Sequence, residues 1–130
     1  MTGMDTNILV RFLTRDDEDQ FGKALALIKR QQVFIPDTVW LETEWVLRYA
    51  YGFDRGAISK AFCDLLGLAT IRVQDKGRLL LAIEWHAAGL DFADAMHLAG
   101  SQEAETFATF DRAFVRDAAT MGRCRVVQLK

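Results

Sequence analysis

Short β-prone runs alternate with segments of helical periodicity along the whole chain, and this alternation constrains the fold more than any other feature. The β-prone runs lie at residues 1–5, 33–35, 69–73, 106–110 and 125–129. Helical patterns occupy residues 6–13, 16–31, 37–51, 54–66, 75–88, 91–104 and 111–120. Strands separated by helices are typical of parallel sheets, whose neighbouring strands need a crossover connection. At 130 residues we expect one α/β domain, residues 1–130, with helices flanking a mostly parallel sheet.

The ends of several helices are marked by residues that favour caps. Asp37 follows Pro36 and is expected to cap the helix that Gly52 ends. Asp75 is expected to open another helix, which ends at Gly89. These signals divide the chain into elements without an internal repeat or a low-complexity linker.

Composition excludes several classes of protein. No apolar run reaches the roughly 18 residues of a membrane span, and no basic segment precedes a long hydrophobic stretch at the N-terminus, so we expect a cytoplasmic protein. Cys63 and Cys124 lie far apart, which excludes a zinc-knuckle spacing and a redox pair. We expect both to be reduced, buried thiols.

Four acidic residues lie beside or inside apolar segments, where charge is costly unless it is paired, hydrogen-bonded or bound to metal. They are Asp5, Glu42, Asp94 and Asp111. Asp5 follows the first strand and Asp111 the fourth, so a strand order of 3-2-1-4-5 would make them neighbours at the switch point where ligands collect. Glu42 and Asp94, on helices, are expected to point into the same crevice.

The two glutamates of the 37–51 helix receive different interpretations. Glu42 shares a helical face with Val46 and Tyr49 and therefore interrupts an apolar stripe. Glu44 precedes Arg48 by four residues, the spacing of an ordinary surface ion pair. We therefore retain Glu42 as a site candidate and set Glu44 aside.

A cluster of carboxylates favours a hard divalent cation. Without a cation the acids would repel one another and some of their pKa values would rise. Oxygen ligands of this kind select Mg²⁺ or Mn²⁺ over zinc. Such a metal can activate a water and offset charge on a departing oxygen, so the reaction class is hydrolysis of a phosphodiester.

Charge and arginine content permit a nucleic-acid substrate. The formal net charge is −2, but setting the four candidate ligands aside leaves a small excess of basic residues. Arginine outnumbers lysine, and its planar fork suits phosphate oxygens. Arginines also serve as solvated surface charge, so this signal is permissive only.

Each acid also has a structural interpretation. Asp5 and Asp111 can cap the helices that follow them, and Asp91 and Asp94 can form a capping pair. Glu42 can reach solvent or a basic partner at the edge of its helix. The chemistry therefore depends on the acids acting together.

The histidines and tryptophans favour structural roles. His86 and His97 have no partner at metal-ligand spacing, so both are expected to be structural or surface residues. Trp40, Trp45 and Trp85 lie in helical segments, which favours core packing over base stacking.

Four motifs carry a resemblance to a known family. They are Asp5-Thr6-Asn7, the segment 42–47 that begins at Glu42, the segment 91–99 that contains Asp91 and Asp94, and Thr109-Phe110-Asp111 with Phe114. In this order and at these intervals they resemble the PIN-domain ribonucleases, and most closely the VapC toxins of bacterial VapBC toxin-antitoxin pairs. The resemblance spans nearly the whole chain.

The resemblance implies a homodimeric, Mg²⁺- or Mn²⁺-dependent endoribonuclease that acts on RNAs of the translation machinery, often transfer RNA. A cognate VapB-type antitoxin would silence it by covering the active site with its C-terminal segment. Carried over residue by residue, the acidic metal site is Asp5, Glu42, Asp94 and Asp111. Asn7 and Thr109 would orient these carboxylates through hydrogen bonds.

Three arginines are candidates for contacts with substrate phosphates. Arg11, Arg15 and Arg112 lie just beyond Asp5 and Asp111 in the sequence. This assignment rests on their position along the chain alone.

Two other functions remain open at this point. The first is a non-catalytic module of the same fold that binds RNA or an antitoxin, its acids serving as caps or as a dock for an arginine. The second is a receiver-like phosphorylation domain, which needs a lysine after the last strands and a lone aspartate after a middle strand. Neither residue can be placed convincingly.

Overall fold

The computed structural model describes residues 1–130, with five strands and seven helices. In chain order they are β1 (Thr2–Gly3), α1 (Thr6–Thr14), α2 (Glu18–Arg30), β2 (Val33–Phe34), α3 (Asp37–Tyr51), α4 (Arg55–Leu66), β3 (Ile71–Arg72), α5 (Lys76–Ala87), α6 (Phe92–Ala99), β4 (Thr106–Thr109), α7 (Arg112–Asp117) and β5 (Arg125–Gln128). The chain divides into two compact units, Met1–Gln74 and Asp75–Lys130. The α/β class and the parallel pairing predicted from the sequence are confirmed.

The strands form two parallel sheets. In the first unit β2 lies between β1 and β3, and Val33 is in register with Thr2 on one side and Ile71 on the other. In the second unit β4 pairs with β5 over four residues. The predicted neighbours 3-2-1 and 4-5 are therefore found, but the continuous order 3-2-1-4-5 is wrong in detail. β1 is only two residues long and pairs with β2 alone.

Aspartates begin most of the helices, as expected for residues whose carboxylate accepts from first-turn N–H groups. Asp17, Asp54 and Asp75 cap α2, α4 and α5 in this way. Helix α3 differs, because Pro36 occupies the cap position and Asp37 is already helical. Gly52, at φ 68°, ends α3 in the left-handed region that glycine adopts without strain.

Helix α6 ends at Ala99, about one turn earlier than the sequence pattern predicts. The Ser101 hydroxyl donates to the carbonyl of His97 at 2.8 Å, and the Gln102 side-chain amide donates to the carbonyl of Leu98 at 3.0 Å. These side chains bond to carbonyls that another helical turn would use, so they compete with its continuation.

Each unit has its own buried residues. In the first, Trp40 is fully buried, meets Phe62 edge to face at 4.9 Å and donates its indole N–H to the carbonyl of Ile35. In the second, α5 packs against α6. The buried residues there include Leu79, Ala82, Ile83, Trp85, Phe92, Ala95 and Leu98.

Two expectations from composition meet different outcomes. None of the helices has the length and apolar character needed to cross a membrane. Cys124 is buried as expected, whereas Cys63 is exposed, so the prediction of a second buried thiol is wrong. Cys63 lies on the outward side of α4. The next residue, Asp64, is also exposed, whereas the preceding residue, Phe62, is buried.

Candidate functional site

Asp5 occupies the junction between β1 and α1 that the sequence predicts. It is the N-cap residue of α1, and its carboxylate accepts the Ile8 backbone N–H at 3.0 Å. The residue is exposed to solvent. The capping interpretation is therefore correct, and one carboxylate oxygen of Asp5 already has a partner.

Helix α3 reverses the predicted environments of its two glutamates. Glu42 is exposed, whereas Glu44 is only 3% exposed. The buried face consists of Trp40, Thr43, Glu44 and Leu47, so the prediction that Glu42 interrupts a buried apolar stripe is wrong. Residues 40, 43, 44 and 47 follow the helical period, and the stripe through Glu42 faces outward.

The Glu44 carboxylate is held by Arg48 in a two-pronged contact. The guanidinium Nε lies 2.8 Å from one carboxylate oxygen and Nη2 lies 3.3 Å from the other. Because the guanidinium donates to Glu44, the pKa of Arg48 is raised above its ordinary value. The predicted pairing is present, but it is a partly buried contact and not an ordinary surface pair.

Three aspartates of the second unit influence one another. Asp94 lies in the first turn of α6, and its backbone N–H donates to the Asp91 carboxylate at 3.2 Å. Burial raises the pKa of Asp94, and the charges of Asp91 and Asp111 raise it further, while His97 acts in the opposite direction. This is the electrostatic state expected of carboxylates that share a site without a cation.

The Asp94 carboxylate is half-buried and accepts no hydrogen bond within the protein. His97, one turn further along α6, stacks against Phe107 at 6.4 Å between ring centroids. It is exposed, and His86 is buried, so both histidines have the structural or surface positions expected from the sequence. Asp94 is consequently the acid whose surroundings compensate its charge least.

Asp111 is fixed at the start of α7 from both sides. Its carboxylate accepts the N–H groups of Ala113 at 2.8 Å and Phe114 at 3.3 Å. Its own N–H donates to the Thr109 hydroxyl at 3.0 Å. Thr109 therefore orients Asp111 through the backbone and not through the carboxylate. Asp111 itself is exposed, so of the four predicted acids only Asp94 is half-buried.

The candidate arginines of the first unit are already engaged by acids. The Arg11 guanidinium lies 2.7 Å from Asp16 and also donates to Gln20 and to the hydroxyl of Tyr51. Arg15 pairs with Glu18 at 2.8 Å. Both contacts reduce the charge that these arginines can offer to a phosphate.

Asn7 and Arg112 make no such contacts. Asn7 is exposed and lines a groove of about 450 Å³ together with Arg11, Lys23 and Arg30. Arg112 is exposed at the first position of α7, directly after Asp111, and forms no ion pair. Arg112 is the candidate arginine whose charge is not neutralised.

The donor chemistry of the acids fits a hard cation. No three acidic, histidine or cysteine side chains approach one another closely enough to form a preassembled metal site. The donors at Asp91, Asp94 and Asp111 are nevertheless all carboxylate oxygens, which suit Mg²⁺ or Mn²⁺. Their mutual repulsion at Asp94 is the kind that a cation relieves.

Sequence reasoning missed an exposed aromatic pair on α3. The ring centroids of Trp45 and Tyr49 lie 4.9 Å apart. Trp45 is 56% exposed and Tyr49 is 65% exposed. Trp40 and Trp85 are buried, so core packing is confirmed for them and wrong for Trp45. The signal was available, because Trp45 follows Trp40 by five positions and a helical residue at that spacing lies on a different face.

Comparisons with known proteins give a family and a solved structure of low similarity. Residues 4–119 match the PIN domain family. The solved structures include VapBC2 from Rickettsia felis bound to a DNA fragment from their promoter, which is 16% identical to this chain, covers 100% of both chains and has a TM-score of 0.40. No curated protein matches the chain.

Proposed function

The chain belongs to the PIN domain family, and from this premise we propose that it is a divalent-metal-dependent endoribonuclease, the toxin of a VapBC-type toxin-antitoxin pair. The family supports a nuclease. The motifs around Asp5, Glu42, Asp94 and Asp111 support the closer assignment, because they resemble those of VapC toxins in order and interval.

The observation that carries this proposal is the environment of Asp94, in which burial and two neighbouring acids outweigh the opposing effect of His97. Its carboxylate is half-buried, accepts no hydrogen bond, and faces the charges of Asp91 and Asp111. Carboxylates whose pKa values are raised by burial and by neighbouring acids are typical of functional sites, and a bound cation would relieve the repulsion.

We assign the metal ligands to Asp5, Glu42, Asp94 and Asp111. When bound, Mg²⁺ or Mn²⁺ supplies Lewis-acid activation of water and offsets charge on the departing oxygen. The chain supplies fixed carboxylates, because the caps at Asp5 and Asp111 hold one oxygen of each and leave the other available. Thr109 anchors Asp111 through its backbone, and Asn7 is assigned the same orienting role toward Asp5.

Substrate phosphates are assigned first to Arg112, which is exposed and forms no ion pair. Arg11 and Arg15 remain candidates, but each must exchange a carboxylate for a phosphate in order to bind. Their contribution to affinity is expected to be smaller for that reason.

The partners follow from the same proposal. The substrate is RNA of the translation machinery, with transfer RNA as the first candidate, and the protein acts in the cytoplasm as a homodimer. A VapB-type antitoxin inhibits it by covering the acidic site. Co-purification of the chain with a co-expressed VapB-type antitoxin tests this partner directly.

Cleavage by purified variants tests the proposal. Asp94→Asn and Asp5→Asn keep the size of the side chain. Asparagine can still cap α1 at position 5, and the Asp94 carboxylate accepts no hydrogen bond that the amide would lose, so both variants are expected to fold. Each should lower RNA cleavage in Mg²⁺ by at least about 100-fold, because the carboxylate charge is lost. Asp64→Asn is the matched control, since Asp64 is exposed on α4 and pairs with Lys60. Cleavage at the parental rate by either site variant contradicts the assignment.

A second candidate function is favoured by the capping bonds of Asp5, Asp91 and Asp111. In that case the acids are structural, and the chain is a non-catalytic PIN-fold module that binds RNA or an antitoxin. Titration of Mg²⁺ and Mn²⁺ by calorimetry distinguishes the two functions. Absence of saturable metal binding together with absence of cleavage in any RNA pool favours the module.

Controlled expression identifies the target. Wild type and Asp94→Asn are expressed in parallel, and new RNA ends are sequenced. The proposal expects growth arrest and a discrete new end with wild type alone. Equal growth and identical RNA ends in both cultures contradict a toxin function.

A further inference from the structure

A closed group of polar contacts in the first unit is centred on Asp16. Its carboxylate accepts the Tyr51 hydroxyl at 2.6 Å and the Arg11 guanidinium at 2.7 Å. The same guanidinium nitrogen donates to the Tyr51 hydroxyl at 3.2 Å, so each of the three residues contacts the other two. We call Arg11, Asp16 and Tyr51 the Asp16 cluster. Because two of its groups are charged, its hydrogen bonds are stronger than those between neutral side chains.

The Asp16 cluster joins the C-terminal ends of two helices. Arg11 lies in the last turn of α1, and Tyr51 is the last residue of α3. Asp16 lies in the turn between α1 and α2, where the Thr14 hydroxyl also donates to it at 3.1 Å. Since residues 16 and 51 lie 35 positions apart in the sequence, their hydrogen bond is a tertiary contact. It fastens the end of α3 to the end of α1.

The N-terminal ends of the same two helices are fastened by the sheet. Strand β1 leads into α1, and β2 leads into α3. The strands pair in parallel, with Gly3 in register with Phe34, and the Met4 N–H donates to the Phe34 carbonyl at 2.9 Å. The helices also pack against each other. They are therefore connected at both ends, by backbone hydrogen bonds at one end and by side chains at the other.

Two of the proposed metal ligands lie on this pair of helices. Asp5 caps α1, and Glu42 lies in the second turn of α3, where it is exposed. At 1.5 Å per residue, Arg11 is about 9 Å from Asp5 along α1, and Tyr51 is about 13 Å from Glu42 along α3. The cluster can therefore act on these carboxylates only through the two helices. Without it, a change in the angle between the helices would change the separation of Asp5 and Glu42.

We propose that Asp16 and Tyr51 are positioning residues, which set the separation of Asp5 and Glu42 by fastening α1 to α3. The role rests on the proposed function, in which both carboxylates bind metal. A cap such as that at Asp5 fixes a carboxylate on its own helix but not relative to a second helix, and the cluster supplies this second restraint. Neither positioning residue contacts the metal or the RNA.

Four variants test the cluster. Two break it: Tyr51→Phe keeps the ring but removes the hydroxyl, and Asp16→Ala removes the shared acceptor. The other two are controls. Asp16→Asn keeps an oxygen that Tyr51 and Arg11 can donate to, so it should retain the geometry without the charge. Tyr49→Phe makes the same change as Tyr51→Phe on the same helix, at an exposed ring outside the cluster.

Metal binding and cleavage are measured well below the unfolding temperature of every variant, so that a loss of stability alone alters neither. In calorimetric titrations the Kd for Mg²⁺ should rise about 10-fold in the breaking variants, the size of effect expected when the support of a ligand is lost. At saturating Mg²⁺, kcat should fall about 10-fold while KM for RNA stays unchanged, because the cluster orients the site and does not bind substrate. Both controls should match wild type.

The separation of the helices is measured without metal. Cysteines replace the exposed residues Ile8 on α1 and Trp45 on α3 in a Cys63→Ser background, and spin labels on them report the distance between the helices. Cys124 is buried, so it should not be labelled. The breaking variants should shift or broaden the distance distribution, and the controls should leave it unchanged.

Three results overturn the proposal. The first is an unchanged distance distribution in the breaking variants. The second is an unchanged Kd for Mg²⁺ and an unchanged kcat in these variants when wild type binds metal, since the cluster then serves stability alone. The third is a higher KM with unchanged kcat, which would make the cluster a contact with RNA. Absence of metal binding and cleavage in wild type refutes the nuclease alone, because the distance measurement still decides whether the cluster sets the separation of the helices.

Discussion

The two units of this protein each contain an aspartate whose pKa is shifted, and the shifts have opposite directions. In Met1–Gln74, Asp16 accepts hydrogen bonds from Tyr51, Arg11 and Thr14, which lower its pKa. In Asp75–Lys130, Asp94 accepts none, and burial together with neighbouring acids raises its pKa. One carboxylate is supported by every neighbour, and the other is opposed by most of them.

The difference separates structural acids from candidate functional acids more reliably than burial does. Glu44 is the most buried acid of the chain, yet a guanidinium holds both of its oxygens. Asp94 is less buried and still has the less favourable surroundings. Compensation by neighbours, and not depth alone, is therefore the property on which the proposed site at Asp94 rests.

The largest expected effect is on metal binding. At Mg²⁺ concentrations 100 times the Kd, wild type should gain about 2.7 kcal/mol of unfolding free energy, because only the folded state assembles the ligands. Asp94→Asn should lose this gain, whereas Asp16→Asn should keep it. Thermal unfolding with and without Mg²⁺ measures the effect, and equal gains in both variants would remove the distinction between the two acids.

Removing the cation beside Glu44 should produce the next largest effect. Arg48→Met keeps the length of the side chain but takes the guanidinium from a buried carboxylate, which should lower the unfolding free energy by roughly 2–3 kcal/mol. The exposed pair of Lys60 and Asp64 provides the control, since Lys60→Met should cost less than about 0.5 kcal/mol. Urea denaturation measures both, and equal costs would contradict a structural role for Glu44.

Stability against pH should slope in opposite directions at the two acids. The raised pKa of Asp94 means that the unfolded chain loses this proton first, so the contribution of Asp94 falls as pH rises above the ordinary carboxyl value of about 3.9. The lowered pKa of Asp16 gives a contribution that is present above that value and lost as pH falls below it.

Acid titrations of stability in metal-free buffer test both signs. Asp94→Asn should remove the fall on the alkaline side of about pH 3.9, and Asp16→Asn should remove the rise across the acid side. If both substitutions change the pH dependence of stability on the same side of about pH 3.9, the pKa values of the two acids are not shifted in opposite directions.

The smallest expected effect concerns the arginines. Arg112 has no acidic partner, so Arg112→Ala should lower the slope of log affinity for single-stranded RNA against log salt by about 0.7. Arg15→Ala should change the slope less, because Glu18 already neutralises Arg15. Binding isotherms at several salt concentrations measure the difference, and a larger change for Arg15 would reverse the assignment.

Local signals in the sequence were sufficient for the elements and for the positions of two acids. Asp5 and Asp111 were placed at strand-helix junctions because aspartate caps helices and β-prone runs precede both. The alternation of strands and helices also indicated parallel pairing, which both sheets show. Capping and periodicity depend on a few adjacent residues, so they can be predicted from the sequence without knowledge of the tertiary structure.

The sequence did not indicate which face of α3 is buried. Apolar residues occur on both sides of this helix, with Trp40 and Leu47 on the buried side and Trp45 and Tyr49 on the exposed side. Periodicity identifies stripes but does not say which stripe the rest of the protein covers. The early end of α6 was also missed, because it depends on the side chains of Ser101 and Gln102.

The capping bonds of Asp5, Asp91 and Asp111 have a consequence for how such a protein evolves. Asparagine caps a helix about as well as aspartate, and the codons of the two residues differ by a single base. A lineage released from selection for its chemistry can therefore lose the charges at these positions one base at a time while its helices stay capped. Inactive descendants should accumulate asparagine there before any other residue.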